Sequence, residues 1–418
     1  MEKGKLFEHL KERGLIYQTT NEEDVRKLID GEPIAVYGGF DPTADSLHIG
    51  HCFSLMVLRK FQEAGHKVII LLGGATAMIG DPSGRNDMRN MVTSEFINNN
   101  FEHIKSTIGR FIKLDGDNPA IIVNNADWMN GYDYVSFMRD IGTHFNVKHM
   151  LQNDSCVTRL QAGGLTFFEM GYMLIQAYDF VHLNRKYGCK LQVGGSDQWG
   201  NIIAGVELGR KLNFKENKNE TFEALVTPLL VNSEGKKMGK TAKGALWVVK
   251  EKTPVYDFYQ YFVNQKDEDV EKLLLYFSEI SPEEIKNMIK TDIISAKKRM
   301  AFEVTKLVHG EEEAKKAKEA AEALFAGGEN YDNVPTIEIS KEELAGVGII
   351  GLLLKSKLAT SSSDARRVIE QGGAILNDEK ITDIHYQLCE KDFENGFAIL
   401  KRGKKSTIKV NLVWKMIK

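Results

Sequence analysis

Short apolar runs rich in β-branched residues alternate along the first part of the chain with longer stretches of helical periodicity. Residues 34–37, 67–72, 120–123 and 191–193 read as strands, and 51–64, 94–111, 132–140, 167–183 and 199–212 as helices between or after them. This rhythm predicts an α/β fold with a doubly wound parallel sheet of Rossmann type. Ligands of such sheets sit beyond the carboxyl ends of the strands, so chemistry is expected in the loops after Tyr37, Leu72, Val123 and Val193.

Past Pro254 the strand pattern stops. Thr253-Pro254 and Ser281-Pro282-Glu283-Glu284 read as helix starts, each with a capping hydroxyl and a proline at the first helical position. Helical periodicity continues to about Ala326, and Gly327-Gly328 with the polar residues up to Pro335 reads as a stop and a linker. Two short helices, 349–358 and 363–371, then precede a strand over 374–377. The expected organisation is a Rossmann-type catalytic domain over 1–248, an α-helical domain over 249–326, a linker over 327–336 and a small α+β module over 337–418.

Composition narrows the class. With 418 residues, 42% of them hydrophobic, the chain has apolar material for more than one core. Its longest uncharged apolar-rich run, 345–354, is far short of the roughly 20 residues that span a bilayer, so no membrane partner is expected. Cys52, Cys156, Cys189 and Cys389 form no CxxC pair and the ten histidines no HExxH spacing; no metal site is expected, and a reducing, cytoplasmic setting fits. The net charge of −3 hides an asymmetry: from Lys355 to Lys418 there are 13 Lys+Arg against 8 Asp+Glu, leaving 42 against 50 elsewhere. The basic tail reads either as a nucleic-acid surface or as a solvated face.

Four polar motifs stand in these loops. In Tyr37-Gly-Gly-Phe-Asp41-Pro42-Thr43-Ala-Asp-Ser-Leu-His48-Ile49-Gly50-His51, two histidines three apart enter a helix, placing N–H donors beside backbone amides and the positive dipole end. That is a phosphate site, although alone the pair also fits two surface histidines. Glycine-rich stretches at 73–85 and 192–201 follow two other strands; each alone fits an ordinary turn, but all three on one sheet edge point to a nucleotide cleft. Gly235-Lys236-Lys237-Met238-Gly239-Lys240-Thr241 is one residue too short for a P-loop and opens no apolar-periodic helix. It reads as a loop whose lysines reach phosphates, or as a solvated turn.

Together these residues resemble the class I aminoacyl-tRNA synthetases, with His48-Ile49-Gly50-His51 as the HIGH motif and Lys237-Met238-Gly239-Lys240-Thr241 as the KMSKS motif. The YGGFDPTA, GDPSG, Tyr172-Met-Leu-Ile-Gln176-Ala-Tyr-Asp179 and Gly194-Gly195-Ser-Asp197-Gln198-Trp-Gly-Asn stretches are similar to the bacterial tyrosyl-tRNA synthetase family over nearly the whole chain. The resemblance implies activation of L-tyrosine with ATP and transfer to tRNA(Tyr), with Mg2+ arriving on the ATP, no tightly bound cofactor, and a homodimer. It assigns His48, His51, Lys237, Lys240, Thr43 and Arg85 to catalysis, and Gly39, Asp41, Gly50, Gly195, Asp197, Gln198 and Lys240 to ATP. Tyr37, Asp81, Tyr172, Gln176, Asp179, Gln192 and Asn125 fall to tyrosine, with Tyr37 and Asp179 at the phenolic hydroxyl and Asp81, Tyr172 and Gln176 at the ammonium. Residues 337–418 resemble a small RNA-binding module in which Arg366 and Arg367 meet phosphates. Two departures stand out: Gly38 replaces a cysteine common in the family, and Gly239 and Thr241 replace the serines of KMSKS. Alternatives are tryptophanyl-tRNA synthetase, disfavoured by the Tyr37/Asp179 pair and the C-terminal module, a more distant HIGH-type nucleotidyltransferase, and a catalytically inactive RNA-binding relative.

Overall fold

A strand buried on both faces needs a continuous apolar run, and the chain supplies several of them. The computed structural model describes residues 4–83, 92–241, 244–325, 334–344, 346–393, 396–403 and 406–413. The chain divides into two compact units, 1–239 with 275–283 and 240–274 with 284–418. In the first, β1 (Gln18–Thr19), β2 (Ala35–Phe40), β3 (Lys67–Leu72), β4 (Ile121–Asn124), β5 (Cys189–Gly195) and β6 (Glu223–Thr227) form one sheet in the order β1-β6-β5-β2-β3-β4. All neighbours are parallel except β1 with β6. The winding reverses between β2 and β5, where a doubly wound sheet opens its ligand crevice.

The four anticipated strands and the five helices between them are present with ends moved by a few residues. Strand β6 and the short β1 were not anticipated: β6 begins at Glu223, whose carboxylate takes Arg210 (3.1 Å) and the Thr20 hydroxyl, so a charged residue enters a buried strand. The helix Phe167–Tyr187 opens on a capping box, Thr166 with Glu169, and closes at Gly188 in the left-handed region (φ 65°). Glu169 is buried and also accepts from Arg159 Nε at 2.9 Å, so the helix start rests on a paired charge. The helix packs on the sheet through Ala177, Phe180 and Val181, in one core with Tyr37, Ile69, Leu71 and Ala224. The buried Arg13 guanidinium donates to the carbonyls of Leu275, Ser278 and Ile280 (2.7–2.8 Å), fixing the returning segment 275–283.

Past Pro254, helices Val255–Val263, Pro282–Thr291, Ile293–His309 and Glu311–Phe325 bear out the helical reading. The Thr253 hydroxyl does not cap the first of them; it accepts the Trp247 N–H (3.0 Å), and Pro254 is the cap residue without a side-chain bond. Gly327-Gly328 and most of the expected linker lie outside the described residues. Helices Ile349–Lys355 and Ser362–Glu370 then pack on a five-stranded sheet in which Thr336–Ser340 runs parallel to Ser406–Val413. Only Ala374–Leu376 among those strands was anticipated. Among the described residues no helix is long and apolar enough to cross a membrane.

The first unit carries one histidine whose charge state matters to the fold. Buried His66 accepts the Ile34 N–H at Nδ1 (3.2 Å) and reaches the Ile29 carbonyl through Nε2 (2.9 Å), joining the end of helix Glu22–Asp30 to the start of β2. Burial lowers its pKa, so this link favours folding fully above the ordinary value of about 6.5 and less as pH falls from there through the folded value. Urea midpoints at pH 7.5 and 5.5 should drop more for wild type than for His66→Gln, the excess approaching about 1.4 kcal/mol per pH unit at most.

Candidate active site

The polar stripe Tyr172, Gln176, Asp179 faces the sheet, not solvent: Asp179 is 1% exposed and Tyr172 7%. A carboxylate so placed needs donors, and two residues from beyond β4 supply them. Asn125 Nδ2 donates to Asp179 Oδ2 (3.0 Å) and Trp128 Nε1 to Oδ1 (2.9 Å). Burial pushes the Asp179 carboxyl up to about 8; the two donors hold it down, and nearby Asp41 adds to the rise. Tyr37 and Gln192 are partners across β2 and β5, so their side chains leave the same face of the sheet. Burial raises the Tyr37 phenol well above its ordinary value, with Asp179 contributing.

Three buried polar atoms here, Tyr37 Oη, Gln176 Oε1 and Gln192 Oε1, find no hydrogen-bond partner among the described residues. Native interiors rarely leave such groups unpaired, so their occurrence together marks a place where a polar ligand belongs.

The network continues toward the other end of the pocket. Asn125 also donates to Thr76 Oγ1 (3.2 Å), the Thr76 hydroxyl donates to Asp41 Oδ1 (2.8 Å), and the Tyr172 hydroxyl donates to Asp41 Oδ2 (3.0 Å). Asp41, expected with the nucleotide, thus shares a bond with a residue expected at the amino acid. Asp81 accepts from Gln198 Nε2 (2.6 Å), the Ser83 N–H (2.9 Å) and Asn201 Nδ2 (3.5 Å), which brings the GDPSG and GGSDQ loops together. Thr76, Trp128, Ser83 and Asn201 were missed in the sequence. For Thr76 and Trp128 the available signal was a hydrogen-bonding side chain four positions after a strand; Ser83 and Asn201 stand within the GDPSG and GGSDQWGN stretches themselves.

His48 is the N-cap of helix Ile49–Glu63. Its Nδ1 accepts the Gly50 (3.1 Å) and His51 (3.4 Å) amides, and His51 Nδ1 accepts the His48 amide (3.4 Å). The amides expected to face a ligand are therefore taken by the imidazole, as helix-start donors require. The rings stack at 3.8 Å. With both Nδ1 atoms accepting, the neutral rings carry their proton on Nε2. Ile49 is buried, Thr43 donates its amide to the Asp41 carbonyl (2.8 Å), and the Pro42 carbonyl accepts from Asn100 (3.0 Å).

In the fourth motif, Asn232 accepts the Glu234 and Lys236 amides and Met238 is buried with its amide on the Leu230 carbonyl. This tight turn presents Lys237, which pairs with Asp197 (3.0 Å). Gly239 has φ 83°, and Gly195 lies so close to Asp197 that a Cβ would sit 2.9 Å from its Oδ1. Gly39 is exposed at the end of β2, and a Cβ at Gly50 would meet the His48 ring at 3.0 Å. Arg85 lies outside the described residues, as do the side chains of Lys240 and Thr241. In the second unit Arg366 is exposed, whereas Arg367 bonds Asp364 (2.6 Å), which Arg402 also holds.

Comparison with known proteins agrees with this arrangement. Residues 30–326 match the family model described as tRNA synthetases class I (W and Y), and 328–410 match a tyrosine–tRNA ligase C-terminal domain model. The chain is 50% identical over 404 residues to the tyrosine–tRNA ligase of Clostridium tetani, covering 96% of this chain and 97% of that one. It is 50% identical over 412 residues to that of Acetivibrio thermocellus, covering 98% and 99%. A C-terminally truncated mitochondrial tyrosyl-tRNA synthetase of Aspergillus nidulans superposes with a TM-score of 0.67 at 31% identity, over 77% of this chain and 94% of that one.

Gly38 has a local steric reason. A Cβ there would lie 2.7 Å from Leu58 Cδ1 and 3.4 Å from the Val193 carbonyl, so Leu58 fills the space a side chain would use. Gly38→Cys should destabilise the protein by about 1–3 kcal/mol in urea titrations, and adding Leu58→Ala should recover part of the loss through relieved overpacking. An unchanged midpoint for Gly38→Cys would contradict this.

Proposed function

The chain belongs to the class I tRNA synthetases of the tryptophan and tyrosine group and acts as a tyrosine–tRNA ligase, and from that premise we propose how its residues divide the work. The observation carrying the assignment is the set of unpaired buried atoms on Tyr37, Gln176 and Gln192 beside the Asp179 carboxylate. The phenolic hydroxyl of tyrosine donates to Asp179 and accepts from Tyr37. An amino acid lacking that hydroxyl would leave the buried Tyr37 hydroxyl unpaired and the buried Asp179 with only its two protein donors, which is a basis for rejecting phenylalanine. Asp81, Tyr172 and Gln176 receive the α-ammonium.

The tyrosine carboxylate, ionised near neutral pH, attacks the α-phosphorus of ATP without a general base. A new oxygen–phosphorus bond forms, the bond to the β-phosphate bridging oxygen breaks, and pyrophosphate leaves. Catalysis then consists of positioning and of donors that meet developing charge, supplied by Nε2–H of His48 and His51 and by Lys237, Lys240, Thr43 and Arg85. Asp197, Gln198, Gly195, Gly39, Gly50 and Asp41 hold ribose and adenine, and Mg2+ arrives with the nucleotide. The terminal adenosine hydroxyl of tRNA(Tyr) next attacks the adenylate carbonyl and releases AMP.

Arg210, Lys211 and Lys215, with exposed Phe214, border a cavity beside His144 and suit the tRNA backbone, as does Arg366 in the C-terminal module. Catalysis is assigned to residues 1–248, and RNA contacts to 249–326 and 337–418 together with the basic face at 210–215. Exposed Tyr134, Val135, Val147, Leu160, Phe167 and Phe168 all fall within 134–168 and support a homodimer. The setting is cytoplasmic.

Pyrophosphate–ATP exchange with each of the twenty amino acids should show tyrosine alone supporting strong exchange; exchange with tryptophan instead would overturn the assignment. His51→Ala should slow adenylate formation in single turnovers by about 10²–10³ while tyrosine affinity stays nearly constant. Asp179→Ala should abolish measurable tyrosine binding in equilibrium dialysis, whereas Tyr37→Phe should weaken it by only about 0.5–1.5 kcal/mol.

A further inference from the structure

Building on the proposed placement of tyrosine, we infer that Thr76 is a positioning residue that couples recognition of the substrate's ammonium to recognition of its phenolic hydroxyl. Among the described residues its hydroxyl links Asp41 to the donor of Asp179: it donates to Asp41 Oδ1 (2.8 Å) and accepts from Asn125 Nδ2 (3.2 Å). The same Asn125 nitrogen holds Asp179 Oδ2 (3.0 Å), while Asp41 Oδ2 takes the Tyr172 hydroxyl (3.0 Å). Thr76 is 2% exposed and Asn125 0%, so bulk water does not interrupt the chain.

A hydroxyl donating to a full anion becomes a stronger acceptor, and bonds in a low-dielectric chain polarise one another. In the empty site Asp41 therefore draws on the Thr76 hydroxyl, which draws on the Asn125 amide and competes with Asp179 for it. An ammonium arriving beside Tyr172 and Asp41 neutralises part of that pull. Asn125 is then released toward Asp179, which is steadied as the acceptor for the phenol. Neutralising Asp41 also relieves its repulsion of Asp179 across the pocket.

The backbone protects this arrangement. A Cβ at Gly73 would fall 2.0 Å from Asp41 Oδ1 and 2.2 Å from Thr76 Oγ1, at the bond itself, and one at Gly74 would fall 2.3 Å from Asn124 Oδ1. The double glycine after β3 thus has a requirement in the amino-acid pocket, independent of any approach of phosphate.

The test uses the full-length chain and four ligands: tyrosine, phenylalanine, and the two propionates that lack their amino groups. The value of the hydroxyl is the affinity ratio within each pair, measured by competition against labelled tyrosine. In wild type the ratio with the ammonium present should exceed the ratio without it by about 5- to 100-fold, the usual range of site-to-site coupling. In Thr76→Val, close in shape but unable to donate or accept, the two ratios should converge and tyrosine affinity should fall by about 10- to 100-fold. Thr76→Ser, which keeps the hydroxyl, should retain most of the difference. The inference fails if the wild-type ratios are already equal, or if Thr76→Val keeps them apart. Failure of the underlying placement would look different: Asp179→Ala would then leave tyrosine binding intact.

Discussion

A carboxylate buried between a helix and a sheet is tolerated only where donors are built around it, and Asp179 imposes that condition on the whole first unit. Its two donors come from the short helix region after β4, so β4 must end where Asn125 and Trp128 reach across to helix Phe167–Tyr187. That helix must in turn start in a fixed place, which the Thr166–Glu169 cap and the buried Arg159 provide. Trp128 is steadied further by stacking on His182 at 4.3 Å, one helical turn beyond Asp179. The raised pKa of Asp179, about 8, is the mark of incomplete compensation: the two donors offset burial only in part.

Close approach is the second constraint, and it explains the glycines better than conformational freedom does. Gly73, Gly74 and Gly200 would each place a Cβ within 2.0–2.3 Å of a polar side-chain atom of Asp41, Asn124 or Asn153. In none of them is φ positive. Loops that look like phosphate cradles in the sequence are here also surfaces against which carboxylates and amides pack. Rigid side chains on rigid backbone are what an enzyme without a general base requires, since its rate rests on geometry.

Much of the first unit was legible because its elements are set by local pattern. Strand Lys67–Leu72 is an uninterrupted apolar run after its first residue, and helix Phe167–Tyr187 has a capping signature at one end and glycine at the other. Strand Glu223–Thr227 was not legible, because its first residue is made acceptable by Arg210 and Thr20, far away in sequence. In the C-terminal module, Ser406–Val413 alternates apolar and polar residues openly enough, but Glu379–Ile381 is short and mostly exposed, and its pairing with Ala374–Leu376 decides it. At the site, motif residues were found where a loop carries several polar groups in a row. Thr76 and Trp128 escaped because a lone hydroxyl or indole acquires its meaning from partners distant in sequence, Asp41 and Asn125 for one and Asp179 for the other.

The arrangement of charge suggests why the two halves of the site do not annul each other. Asp41 takes the Thr76 hydroxyl, Asp81 the Gln198 amide, and Asp179 the Asn125 amide and the Trp128 indole, so neutral donors help to orient each of these carboxyl groups. The edge with the two histidines and the lysine loop is held differently. His48 and His51 spend Nδ1 on the helix start, and Lys237 rests on Asp197. A lysine bound to Asp179 would replace its neutral donors with a full ion pair, and histidines without their bonds to the helix start would have no fixed ring orientation. Neutral partners inside and an exchangeable ion pair at the rim let one sheet edge hold a cationic group and a polyanion side by side, as joining an amino acid to ATP requires.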